Sequence, residues 1–185
     1  NKGDWTLANP GDFRKIGNSS SRYPYSFDLS ADWKGFDIRG FFQGIGKRDW
    51  YAGGGNHYFW GIYAQPWTNV QTHNLDHWTP ENPNAYYPRV KAYIAESTGS
   101  ELACVQTRYM QDASYLRMKN LTIGYTLPQD LTRKLNIERV RFYFSGENLF
   151  EIIHLKANLD PEALDSSSKV YPLQRSYSFG VNLTF

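Results

Sequence analysis

The chain has 185 residues, with 20 Lys and Arg against 18 Asp and Glu for a formal net charge of +2. So mild a charge, with no basic cluster, argues against a nucleic-acid partner. Nowhere is there the run of about 18 apolar residues that a membrane-spanning helix needs. Aromatic content is high at 17%, which suits strands, membrane-interface girdles and sugar-stacking surfaces alike, and the single Cys104 excludes an internal disulfide.

In chain order, the amino terminus (AsnLysGlyAspTrpThrLeu) lacks the apolar run of a secretory signal. The first patterned run is 23–33. Tyr23, Tyr25, Phe27, Leu29, Ala31 and Trp33 alternate with Pro24, Ser26, Asp28, Ser30 and Asp32. A strict period of two puts one face in an apolar medium and the other in a polar one. Burying Asp28 and Asp32 unpaired in a dry core would be costly, whereas a watery lumen accepts them. The next run, 35–44, places Phe36, Ile38, Gly40 and Phe42 on one face and Asp37, Arg39, Phe41 and Gln43 on the other.

A long connection, 45–113, follows. It holds Trp50, Tyr51, Tyr58, Phe59, Trp60, Tyr63, Trp67, Trp78, Tyr86 and Tyr87, with His57, His73 and His77. Run 114–127 is less regular: Leu116 and Met118 share one parity, and Leu121, Ile123, Tyr125 and Leu127 share the other. The switch near Lys119–Asn120 reads either as a bulge or as the strand leaving a bilayer. A short piece, 128–137, begins with Pro128. In run 138–147, Val140, Phe142, Phe144 and Gly146 alternate with Arg139, Arg141, Tyr143, Ser145 and Glu147. After a second long connection, 148–174, the run 175–185 alternates Tyr177, Phe179, Val181, Leu183 and Phe185 with Ser176, Ser178, Gly180, Asn182 and Thr184.

Short and long connections alternate, as in an outer-membrane barrel with short periplasmic turns and long external loops. With Phe185 at the periplasm, both short turns fall on that side and both long loops fall outside. Runs of about ten tilted residues match the apolar band of a bilayer. Trp33, Phe36 and Tyr125, near the short turns, suit a periplasmic aromatic girdle. The expected fold is therefore all-β, an antiparallel transmembrane β-barrel with long extracellular loops. Five strands do not close a barrel, whose minimum is about eight, so the chain is expected to be a portion of a longer protein. The competing reading is a soluble or secreted carbohydrate-binding β-sandwich, with the aromatic connection as its binding face.

No catalytic or metal site emerges. The histidines show no His-Glu-x-x-His pattern. Gly53–Gly55 has no strand–helix context for a phosphate loop, Cys104 lacks an evident base, and no carboxylate pair stands out for glycoside hydrolysis. No cofactor is expected. Two Asn-Leu-Thr triplets, 120–122 and 182–184, lie in expected strands, which argues against glycosylation. Trp50, Tyr51, Tyr58, Trp60, Trp67 and Trp78 are the candidates for contact with a substrate or a covering partner, because loops on a rigid scaffold carry recognition. Equally, a loop of this length needs internal packing to be ordered.

Several segments carry a family resemblance. TyrLeuArgMetLysAsnLeuThrIleGlyTyrThrLeuPro (115–128), ArgPheTyrPheSerGlyGluAsnLeuPhe (141–150) and TyrProLeuGlnArgSerTyrSerPheGlyValAsnLeuThrPhe (171–185) closely resemble the carboxy-terminal barrel of SusC/RagA-type TonB-dependent transporters. TrpThrProGluAsnProAsnAla (78–85), LeuAspProGlu (159–162) and TyrProTyrSerPheAspLeuSerAlaAspTrpLysGlyPheAsp (23–37) fit the same family. The resemblance implies a plugged barrel of roughly 22 strands, of which this chain supplies the C-terminal strands, the plug and signal peptide being absent from it. It implies import of glycans or peptides across a Gram-negative outer membrane, a SusD-like lipoprotein lid, and TonB contacted through a region absent here. It also implies that Ser178, Gly180, Leu183 and Phe185 form the signal read by the barrel-assembly machinery.

Overall fold

The computed structural model describes residue 6 and residues 8–164 and 173–185. The described residues form seven strands: β1 (Arg22–Trp33), β2 (Phe36–Lys47), β3 (Asp49–Trp50), β4 (Gln111–Asp112), β5 (Tyr115–Thr126), β6 (Arg139–Ile153) and β7 (Ser176–Thr184). Helical pieces are short, α1 (His57–Trp60) and α2 (Gln129–Thr132) among them. No described helix is long and apolar enough to cross a membrane, which says nothing of strands.

The described residues divide into two compact units. One is an antiparallel meander in the order β1-β2-β5-β6-β7; this sheet is open, with β1 and β7 as its edges. The mostly antiparallel architecture is the expected one. The closed barrel of roughly 22 strands is not what these five strands form by themselves. Two boundaries differ from the sequence reading. β2 runs on to Lys47 and β6 to Ile153, so residues 45–47 and 148–153 are strand rather than connection.

Register explains the irregular run 115–126. Phe41 pairs with Asn120 but Phe42 with Met118, so Lys119 is an extra residue in β5. On the other side Met118 pairs with Phe150 and Asn120 with Glu147, and Asn148 takes the left-handed conformation, φ 53°. These compensating bulges change the parity of β5 without turning its apolar residues to the other face. Across all five strands one face carries Phe27, Phe42, Met118 and Phe150 in one row and Ala31, Ile38, Ile123, Phe144 and Phe179 in another. Ring contacts run along it, Phe27–Phe42 at 4.7 Å, Phe36–Tyr125 at 4.5 Å and Phe144–Phe179 at 5.2 Å between centroids. This face is nonetheless uncovered: Phe179 is 82% exposed, and Leu29, Trp33 and Phe142 are exposed as well.

The second unit, residues 49–112 with described residues of 1–20, is built around aromatic rings rather than a sheet. Its β3 and β4 pair over only two residues, Asp49 with Asp112 and Trp50 with Gln111. Its core holds Trp50, Phe59, Trp60, Tyr63, Tyr87 and Tyr109, all buried.

Candidate functional site

On the polar face of the sheet two ion pairs join neighbouring strands or bridge across one. The Arg39 guanidinium donates to Asp28 at 2.9 Å. The Arg141 guanidinium on β6 donates through Nε to Asp37 Oδ1 on β2 at 2.8 Å and through Nη2 to Asp37 Oδ2. The second pair spans the intervening strand β5, and it can do so because Gly124 lies between. A Cβ there would collide with both Arg141 Nη2 and Asp37 Oδ1. We expect Gly124→Ala to lower stability by up to about 1 kcal/mol, the usual worth of a solvent-accessible ion pair, read as a shift of the unfolding midpoint. Loss of the same size in Asp37→Asn, with no further loss in the double variant, would attribute it to the pair.

Gly180 on β7 makes similar room for the Tyr143 ring beside it. Of the other carboxy-terminal candidates, Ser178 faces the polar side with Gly180, Leu183 faces the apolar side, and Phe185 follows β7 with its ring exposed. The two Asn-Leu-Thr triplets lie in β5 and β7.

At the end of the sheet away from the 34–35 turn, Arg117 of β5 is fully buried, with 2% of its side chain exposed. Three carboxylates meet it: Glu151 of β6 at 2.7 Å, and Asp160 and Glu162 of the following segment at 3.1 Å and 3.3 Å. Lys119 Nζ donates to Glu162 in turn. Sequence reading passed over this cluster, because Arg117 and its acidic partners are more than thirty positions apart.

In the aromatic unit, the six candidate rings separate by burial. Trp60 is 0% exposed; its Nε1 donates to Ala52 O at 2.9 Å, and Phe59 and Tyr109 pack edge-on against it at 4.8 Å and 5.4 Å. Trp50 is buried, edge-on to Phe59 at 5.9 Å. Tyr51 is half-buried, its hydroxyl donating to Leu102 O at 2.8 Å. Tyr58, Trp67 and Trp78 remain exposed, Trp67 most at 71%, where it meets the exposed Tyr93 edge-on at 6.1 Å. Of the six, Tyr58, Trp67 and Trp78 are thus the rings open to solvent, while Trp50 and Trp60 belong to the core of the unit.

Its hydrogen bonds converge on one carbonyl. Phe59 O accepts from Tyr87 Oη at 3.2 Å, Asn74 Nδ2 at 3.1 Å and His73 Nε2 at 3.3 Å. The Asn56 side chain caps α1 by accepting from Phe59 N at 3.0 Å. Segment 78–85 is tied down from both sides: Asp76 accepts from Asn82 Nδ2 and Tyr86 N, and Arg108 donates to Ala85 O and Tyr86 O. Burial pushes the Tyr63 and Tyr87 hydroxyls well above their ordinary value, and they stay protonated donors. Among the described residues no group of three or more His, Cys, Asp or Glu is placed to hold a metal, and Cys104 is an exposed free thiol.

Burial depresses His73, partly offset by its bonds to the Phe59 and Tyr58 backbone. As pH falls through about 6.5, the ordinary histidine value, the unfolded chain takes up a proton that the folded unit resists. The stability of residues 49–112 should therefore fall on acidification from pH 7 and level off below the folded value. Hydrogen exchange of these residues against pH would show the slope, and His73→Phe should flatten it.

An open antiparallel sheet with one bare apolar face and one charged face, carrying a long aromatic insertion, is the build of an outer-membrane β-barrel wall. No family model matches the chain. It is 29% identical over 191 residues to TonB-dependent receptor P3 of Formosa agariphila, covering 94% of this chain and 17% of that protein. It is 26% identical over 174 residues to TonB-dependent receptor P26 of the same organism, with 87% and 17% covered. The solved RagAB peptide importer in its open-open state superposes with a TM-score of 0.67 at 27% identity, over 93% of this chain and 18% of that one. The likeness to SusC/RagA-type TonB-dependent receptors, legible in the motifs, holds over most of the chain in sequence and in fold. The chain spans less than a fifth of the length of these relatives.

Proposed function

We propose that this chain is part of the wall of an outer-membrane, TonB-dependent importer of glycans or peptides. The observation that carries the reading is the two-faced sheet. The register of five strands keeps an apolar band on one side, and that band is uncovered. In lipid such a band needs no cover, and closure of the sheet removes its edges. The charged face then lines a hydrated lumen, where water and pairing together accommodate Asp28–Arg39 and Asp37–Arg141. A β-sandwich would have to pack a second layer over Phe179 and Leu29, which stand open in the described residues.

In this reading the whole receptor closes a barrel of roughly 22 strands around a plug, and TonB engages a region outside this chain. A SusD-like lipoprotein lid covers the external side, and the exposed rings Tyr58, Trp67 and Trp78 face lid or substrate. RagAB is described as a peptide importer, which favours peptides, while flat exposed aromatic faces suit sugar rings equally well. The last strand, with Ser178, Gly180, Leu183 and Phe185, is proposed as the signal for the barrel-assembly machinery.

Fractionation of the source cells tests the reading. We expect the polypeptide in the outer membrane, resistant to SDS until heated, with a surface lipoprotein co-purifying. Recovery as a soluble extracellular or periplasmic protein would overturn it. Uptake of labelled peptides against labelled oligosaccharides by cells with and without the receptor would then choose the substrate class.

A further inference from the structure

The segment LeuAspProGlu (159–162) stands out in the sequence without a role, and the structure gives it a position. Leu155 and Leu159 are buried, and Pro161 is fully buried. Asp160 and Glu162 reach Arg117, whose pairing with Gln43 on one side and Glu151 on the other places it on the polar face of the sheet. Arg48 Nη1 also donates to Pro161 O at 3.4 Å. Contacts on this segment thus come from β5, through Arg117 and Lys119, and from Arg48 just beyond the end of β2.

The geometry points to an ionic clasp: Arg117 is a positioning residue that folds segment 155–162 inward over the polar face of the sheet, so that the segment forms part of the lumen wall at the external mouth instead of projecting as a free loop. The inward placement rests on the barrel reading above; the clasp does not. Several features make Arg117 suited to this. A guanidinium presents a planar fork of donors that can meet more than one carboxylate at once, which a lysine cannot. The site is buried, so the attraction is weakly screened by salt. The acids come from two separate pieces of chain, β6 and the 155–162 segment, so neutralising Arg117 removes the cation that bridges them, leaving Glu162 to Lys119 and Glu151 to the more distant Arg175. The Arg117 nitrogens divide the acids, Nη2 meeting Glu151 and Asp160 and Nη1 meeting Glu162.

The test is hydrogen exchange of the full-length receptor in lipid, read on peptides covering 155–162, with the β5 and β6 peptides as control. Wild type should protect 155–162, and raising NaCl from about 0.1 M to 1 M should leave that protection unchanged. Arg117→Gln should speed exchange there roughly tenfold or more while the strands stay protected and the protein stays heat-modifiable. Glu162→Gln, which leaves the strands untouched, should give a smaller acceleration at the same peptides. Unchanged exchange at 155–162 in both variants would overturn the clasp. So would equal loss of protection in the strands and the segment in Glu162→Gln, since Arg117 would then serve the sheet as a whole. Loss of the heat-modifiable outer-membrane form in the wild type would instead overturn the barrel reading. A membrane-impermeant thiol reagent applied to an Ala163→Cys receptor, in a Cys104→Ser background, should label slowly in the wild-type clasp and fast with Arg117→Gln.

Discussion

Replacing Trp60 by alanine is expected to unfold the aromatic unit while sparing the sheet. Trp60 is wholly buried among Tyr51, Phe59, Tyr87 and Tyr109. Its truncation leaves a large cavity and strands the Ala52 carbonyl that its indole satisfies. Core Trp-to-Ala changes cost about 3–5 kcal/mol, a large share of the roughly 5–15 kcal/mol that holds an ordinary domain. Limited proteolysis of the receptor in membranes should show rapid cutting within 49–112 and a protected remainder. Trp67→Ala supplies the contrast. With its ring mostly in solvent, it should change stability by less than about 0.5 kcal/mol. If Trp67 meets lid or substrate, binding falls with no change in protease resistance. Equal protease sensitivity in the two variants would contradict the assignment of Trp60 to the core and Trp67 to the surface.

The second large effect distinguishes lipid from water across one peptide unit. Phe179 and Ser178 are neighbours on β7, pointing to opposite faces, with Phe144 and Ser145 as their cross-strand partners. Phe179→Arg sets a charge against hydrocarbon, at about 2–4 kcal/mol near mid-membrane and less towards either interface. Ser178→Arg sets the same charge in the lumen, where water and ions solvate it. Unfolding of the receptor in lipid vesicles should therefore separate the two variants by most of that range. Equal sensitivity would remove lipid from the apolar face and, with it, the barrel.

Much of the sheet was legible because membrane strands are written in a period of two and each such run stands alone. The alternation in 23–33 or 175–185 needs no knowledge of a partner, and the strands lie at 22–33 and 176–184. Ends were harder. Residues 148–153 looked like connection, since the bulge at Asn148 breaks the alternation just where β6 continues. The aromatic connection announced its richness in rings, but not which rings were core. Trp60 and Trp67 are the same residue type seven positions apart in one irregular stretch, with no periodicity to tell inward from outward.

What the sequence by itself determined was each strand's division into an apolar and a polar face, the alternation of short and long connections, and the family likeness carried by ordered motifs. These are properties of residues near one another in the chain, where backbone geometry fixes side-chain direction. Only the tertiary structure decided which charges meet. Asp37 finds Arg141 across a strand whose Gly124 clears the way, and Arg117 gathers Glu151, Asp160 and Glu162. Those pairings depend on strand register, on two offsetting bulges and on a segment folding back over the sheet. None of these is a local property, and each is set by packing that brings distant positions within hydrogen-bonding reach.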